Sequence, residues 1–262
     1  MPILGIMASQ ISGHLSPIPL TNLKLWLDAS VASSITSSGG RVSQWDDLSA
    51  QGNNVVQATA SYKPETGAAT INGLNALRFN NATLTEKMES NGAASIWAFM
   101  SNATGCTIFS VGKYDNSVDG WLISTYNGSG SIAGIIHYIN GSLYPTNYVG
   151  GTGATAAIAA INAVSVGTTN AFSFTSVNDP SNATASARNK IYLNSTAATQ
   201  NNTNTAAFNT GTPSYTLTIG NTGINAGPFK GTVGEVIVYS GQLSGTDIST
   251  VQTYLKTKWG TP

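Results

Sequence analysis

The chain has 262 residues, and Asp, Glu, Lys and Arg make up only 8 % of them, 11 basic against 11 acidic, for a formal net charge of zero. Globular chains usually draw about a quarter of their residues from these four, so the polar surface here must be built of Ser, Thr, Asn and Gly, and there is no Lys/Arg excess to neutralise nucleic-acid phosphates. A single cysteine, Cys106, excludes an internal disulfide, and with only two histidines the chain lacks the ligand set of an ordinary zinc site.

In chain order, Met1 to Leu20 comes first: apolar, interrupted by Pro2 and Gly5, and without charged side chains. It lacks the basic start and unbroken apolar core of a signal peptide, and no stretch of the chain approaches the roughly 20 apolar residues of a membrane span. Residues 1–22 are expected to form an extended arm ahead of a domain over residues 23–262. Ordering such an arm costs about 1 kcal/mol or more per residue in backbone entropy. Burying Ile3, Leu4, Ile6, Ile11 and Leu15 against a neighbouring chain would offset that cost, which predicts self-association or docking into an assembly.

The body of the chain alternates strand signals with Gly- and Asn-containing turns. Strands are expected over Ser95–Met100, Cys106–Val111, Gly120–Tyr126, Ile132–Ile139, Ala160–Val166, Ala171–Val177, Lys190–Leu193 and Tyr215–Ile219. Asn127-Gly128 and Asn140-Gly141 are turn dipeptides, because both residue types tolerate positive φ. The Gly-, Ala- and Thr-rich run Tyr144–Ala160 reads as a long surface loop, and Thr196–Thr212 as a second polar excursion. The segment Gly231–Gly260 then gives a β-branched strand and an amphipathic helix. Ser244 stands as N-cap with Asp247 three residues on, Leu243 and Ile248 form a hydrophobic staple, and Ile248, Val251, Leu255 and Trp259 line one face ahead of Gly260.

That last segment resembles the C-terminal signature of concanavalin A-like jelly rolls of the laminin-G type. The landmarks LKLWLDAS (Leu23–Ser30), QWDDLSAQGNN (Gln44–Asn54), INGLNALRFN (Ile71–Asn80), IYLN (Ile191–Asn194) and LTIGN (Leu217–Asn221) follow the usual order of that family. The resemblance implies an all-β antiparallel jelly-roll sandwich with one short C-terminal helix. The chain departs from the pattern at Ala50 and Leu48, where a Gly and a basic residue are usual, and at Asn80-Asn81, where an Asp-Gly turn is usual. The opening, MPILGIMAS followed by a Ser/Gly/His spacer, is similar to the heads of tailed-bacteriophage virion proteins that precede β-rich outer domains.

Candidate chemistry is sparse. Catalytic glycosidases need a pair of carboxyl groups at a set separation. The only glutamates are Glu65, Glu86, Glu89 and Glu235; none sits in a Glu-x-Asp-x-Glu pattern, and the spacing of Glu86 and Glu89 puts them on opposite strand faces. His137 lies in an apolar run with no Gly-x-Ser-x-Gly elbow anywhere, and reads as a satisfied sheet residue. Asp115, Ser117 and Asp119 alternate ahead of Gly120 like the first half of a calcium loop, yet Tyr126 stands where a bidentate Glu would complete an EF-hand. Calcium is thus the one metal to weigh, against a plain hairpin turn. Asp46 and Asp47 read as loop braces. For sugar recognition, the aromatic and amide candidates are Tyr126 and Asn127 at a hairpin tip and Tyr144 and Tyr148 in the Gly-rich loop. Trp26, Trp45, Trp97 and Trp259 are assigned to the core, and Trp121 to neither class.

These readings lead to a non-catalytic structural protein on the surface of a bacteriophage particle, as head decoration or tail appendage. Its partners would be other virion proteins, copies of itself and surface glycans, with no nucleic acid and no cofactor beyond calcium. The alternative is a secreted or cell-surface bacterial lectin module. A glycoside hydrolase ranks below both.

Overall fold

The computed structural model describes residues 16–80, 85–115, 119–126, 133–150, 157–160, 166, 170–197 and 207–262. Among them run β1 (Leu23–Asp28), β2 (Ile35–Ser38), β3 (Arg41–Trp45), β4 (Val55–Val56), β5 (Glu65–Ile71), β6 (Leu74–Phe79), β7 (Met88–Ser90), β8 (Cys106–Tyr114) and β9 (Gly120–Ser124). Then follow β10 (Ile135–Ile139), β11 (Pro145–Val149), β12 (Ala157–Ala160), β13 (Phe172–Asn178), β14 (Asn189–Leu193), β15 (Thr196–Ala197), β16 (Thr218–Ile219), β17 (Gly231–Ser240) and helix α1 (Gly245–Trp259).

All pairings are antiparallel and they trace two layers. One runs β15–β14–β13–β8–β17, with β1 and β6 end to end along the far edge of β17 and β5 beyond β6. The other runs β12–β11–β10–β9–β16–β7–β4–β3–β2. A short bridge at Arg41 and Glu65 links them. The fold is the antiparallel jelly-roll-like sandwich with one C-terminal helix that the sequence predicts.

Strand alternation fixes what each face buries. From β17, Val236 and Val238 point between the layers, joining Leu25, Leu27, Ile108, Phe174, Ile135, Val149 and Trp45 in the main core. Ile237 and Tyr239 point the other way, to a second core of Phe109, Val111 and the α1 residues Ile248, Val251, Leu255 and Trp259. The central strand is therefore buried on both faces, which explains its nearly continuous apolar run. Helix α1 starts as read from sequence. Ser244 Oγ accepts from Asp247 N at 3.1 Å and donates to the Asp247 carboxylate, and Gly260 closes the helix in the left-handed conformation.

Between Val233 and Glu235 the register of β17 slips by one residue. Gly234 forms this bulge, and a Cβ there would lie 2.9 Å from the Trp259 ring, so only glycine lets the indole pack onto the strand. The base of the arm docks on this same side. Ile18 is buried in the second core, and Tyr239 Oη donates to the Pro19 carbonyl. The remaining arm calls, Ile3, Leu4, Ile6, Ile11 and Leu15, lie outside the described residues.

Two expectations are corrected. Ala94–Met100 is a 3₁₀ helix rather than a strand; Trp97 and Met100, three residues apart, both reach the core, which matches the 3₁₀ period, whereas that odd spacing would send them to opposite faces of a strand. Pro145–Val149 and Ala157–Ala160 are paired strands rather than parts of a loop. Backbone ladder bonds to β11 overrode the low strand propensity of Ala in β12.

Candidate functional site

The outer face of the second layer, turned away from both cores, gathers aromatic side chains. Residues paired across strands share a face. Trp121 pairs Tyr138, Tyr138 pairs Thr146, Ile136 pairs Ser124 and Tyr148, and Ser124 pairs Thr218. Rings of Trp121, Tyr138 and Tyr148 therefore stand on adjacent strands β9, β10 and β11, each half-buried. Trp121 and Tyr138 are tilted against each other with centroids 6.3 Å apart, and Tyr148 packs on Tyr126 at 5.1 Å with the two phenol oxygens 3.2 Å apart.

Local structure sets each ring. Trp121 N donates to Gly227 O at 3.1 Å, and a Cβ on Gly227 would fall 2.2 Å from the indole, so the ring lies flat over a bare backbone. The Gly227 loop is itself braced by Asn221 Oδ1, which accepts from Thr222 N and Gly227 N. At the other end, Asn140 Oδ1 accepts from Ser142 N and Tyr144 N, closing the β10–β11 hairpin. The positive φ of that turn falls on Leu143 rather than on Asn140 or Gly141. The Tyr138 phenol is pushed up to about 12 by burial first and by Asp119 second, with Thr146 pulling it partly back. The Tyr126 phenol is likewise raised, by burial and by its bond to Tyr148.

Of the sugar-site residues expected from sequence, Tyr126 and Tyr148 are brought together. Tyr126 is fully buried and props Tyr148 rather than facing solvent at a hairpin tip. Tyr144 is half-buried at the β10–β11 turn, and Asn127 lies outside the described residues. Tyr138 was missed because an apolar run around His137 reads as core. Its even spacing from Ile136, opposite in phase to His137, is the signal that places it on the outer face. The four tryptophans assigned to the core are all buried.

The acidic turn is committed to protein partners. Asp115 pairs with Arg78, and Asp119 Oδ1 accepts from Gly141 N at 2.7 Å; Ser117 lies outside the described residues. A calcium ion there would have to displace both partners, so these residues do not fit one as they are held, and among the described residues no group of three His, Cys, Asp or Glu side chains is placed to hold a metal. Asp47 braces its loop as expected, accepting from the N–H groups of Trp26, Ser49 and Asn53.

Buried polar groups elsewhere are structural in their contacts. His137 sits between Ser110 Oγ at 2.8 Å and Ser176 Oγ at 2.9 Å, stacked on Phe174, and burial holds its pKa well below the usual imidazole range. Cys106 is buried and its thiol is pushed up to about 12. Glu235 accepts four hydrogen bonds, from Trp26 Nε1 and Tyr254 Oη on one oxygen and from Lys258 Nζ and Trp259 Nε1 on the other. Glu86 is held by Arg41 and Glu89 by Lys87.

No protein-family model and no curated protein matches the chain. Solved structures do. The binding domain of Paraclostridial Mosquitocidal Protein 1 superposes with a TM-score of 0.61 at 12 % identity, over 93 % of this chain and 56 % of that one. A botulinum neurotoxin type C structure, described by its dependence on two ganglioside molecules for cell entry, gives 0.52 at 13 % identity over 92 % and 55 %. The CBM40 module of the Ruminococcus gnavus IT-sialidase, bound to α2,3-sialyllactose, gives 0.44 at 15 % identity over 60 % and 86 %. The chain thus spans little more than half the length of the toxin domains, and at these identities the likeness is one of fold.

Proposed function

We propose that the chain is a non-catalytic glycan-binding module, with Trp121, Tyr138 and Tyr148 as its sugar platform. The observation that carries this reading is the row of half-buried rings on three adjacent strands, with Asn140 and the backbone of the β10–β11 hairpin beside them. A sugar ring presents an apolar C–H face and a rim of hydroxyls, and rings with polar neighbours match both. The toxin-domain neighbours support it in kind, since they are binding domains and one is described with gangliosides. Glycan-array screening followed by calorimetry tests it. Trp121→Ala and Tyr148→Ala should each weaken binding at least about tenfold, near 1.4 kcal/mol; unchanged binding would move the site elsewhere.

We further propose that this module is displayed on a virion, among other virion proteins and copies of itself. The placement rests on the phage-like opening and on one geometric fact. Ile18 and Pro19 dock on the helix side of the sandwich, opposite the platform. Anchoring through the preceding residues would turn the platform outward. Immunogold labelling of phage particles should find the chain on their surface, whereas secretion from a bacterium without particles would favour the lectin reading.

A further inference from the structure

The platform lies in a stretch of chain with no ionic side chains at all. From Trp121 to Asn178 the sequence has no Asp, Glu, Lys or Arg, and its single histidine, His137, is buried on the inner face. That stretch supplies β9 to β12, the strands on which the rings stand. The charges nearest to it are acidic. Asp119 is exposed immediately before β9, its carboxylate held at the end of the β10 hairpin by Gly141 N. Along the row Ile136–Ser124–Thr218 that continues the face across the sheet, the first ionic residue is Glu89, which pairs Thr218 in register.

The cation paired with Glu89 is not available to a ligand. Lys87 is buried, its ammonium 3.2 Å from the Glu89 carboxylate and 2.9 Å from the Gly223 carbonyl, with the Tyr62 ring beside it. On the far side Arg78 is paired with Asp115. A carboxylate or sulfate on a sugar is recognised most effectively by an Arg fork or a Lys, in charge-assisted hydrogen bonds. Strands β9 to β12 offer none, and the ionic groups that flank the face are Asp119 and the Lys87-paired Glu89.

We infer that the platform selects uncharged glycans, that is neutral hexoses and N-acetylhexosamines, and rejects sugars bearing sialic acid, uronic acid or sulfate. This deepens the glycan-binding reading and rests on it.

An array carrying each neutral glycan beside its sialylated and sulfated counterparts tests it with the full chain. The expected result is binding to neutral members only, with the acidic counterpart at least tenfold weaker. Binding to neutral glycans should change less than twofold between 0.05 and 0.5 M salt, since no ion pair contributes. Asp119→Asn together with Glu89→Gln should narrow the gap to the acidic counterparts at least threefold. Should Trp121→Ala fail to fold, quenching of Trp121 emission in the wild type replaces it, because the other four tryptophans are buried. Equal or tighter binding of sialylated glycans, lost in Trp121→Ala, overturns the charge inference and leaves the platform standing. A gap unchanged in the double variant overturns the inference too. Absence of binding to either class, or binding that survives Trp121→Ala, overturns the platform itself.

Discussion

Trp259 Nε1 donates to Glu235 Oε2 at 2.6 Å, tying the last turn of the only α-helix among the described residues to the bulge of the central strand. The same carboxylate takes Trp26 Nε1 at 2.7 Å, and Lys258 reaches both Glu235 and Asp28. The first strand, the last strand and the C-terminal helix thus converge on one buried carboxyl group. Burial and the nearby Asp28 push this group up from the usual carboxylate range, while Lys258 and Trp259 pull it back.

Glu235→Gln should therefore destabilise the domain by about 3 kcal/mol, because two of four converging donors would face an amide N–H₂ instead of an oxygen. Urea unfolding monitored by tryptophan fluorescence checks this. A change under 1 kcal/mol would mean the network contributes little.

The helix cap offers a milder perturbation. Ser244→Ala removes the acceptor for Asp247 N and should cost about 1 kcal/mol, while Ser244→Asn should restore most of it. Denaturation midpoints of the two variants, compared at equal slope, separate a cap from a packing effect.

Ala50 holds a backbone conformation that glycine would take more readily. It holds φ +65°, the left-handed region that a glycine would occupy without strain, in the loop braced by Asp47. An L-residue there costs about 1–2 kcal/mol, partly offset by glycine's larger unfolded-state entropy. Ala50→Gly should raise stability by about 0.5 kcal/mol, visible as a rise in Tm.

Acid sensitivity should trace to His137. The buried ring stays neutral between Ser110, Ser176 and Phe174, whereas the unfolded ring takes up a proton near pH 6.5. The unfolded state then binds more protons, so the stability present above pH 6.5 is lost as pH falls, by up to about 1.4 kcal/mol per unit. Urea titrations at pH 8, 6 and 5 should show that slope, and His137→Gln should flatten it.

Much of the fold could be read in the sequence because its signals are local and mutually consistent. The cap at Ser244, the stripe Ile248–Trp259 and the β-branched run of β17 all point the same way. The face on which a strand residue stands was harder. Trp121 and Tyr138 lie in runs apolar on both faces, and which face is covered depends on strands that pair from elsewhere in the chain. The β11–β12 pair was hidden for a similar reason, since an Ala-rich run becomes strand only when a neighbouring strand offers a ladder. Tyr126 and Tyr148 were singled out as aromatic candidates, yet only their pairing shows that one supports the other.

Gly227 gives the platform a mechanical character. With no side chain beneath it, the Trp121 indole rests on backbone, and the Asn221 bonds hold that backbone in place. The ring is parked before any ligand arrives, so little rotamer freedom is left to lose on contact. One side of the indole is spent on the loop, leaving only the other open to the proposed ligand. The surface is thus a shelf rather than a clamp: it offers one open indole face, and any further ring contact has to come from Tyr138 and Tyr148 beside it.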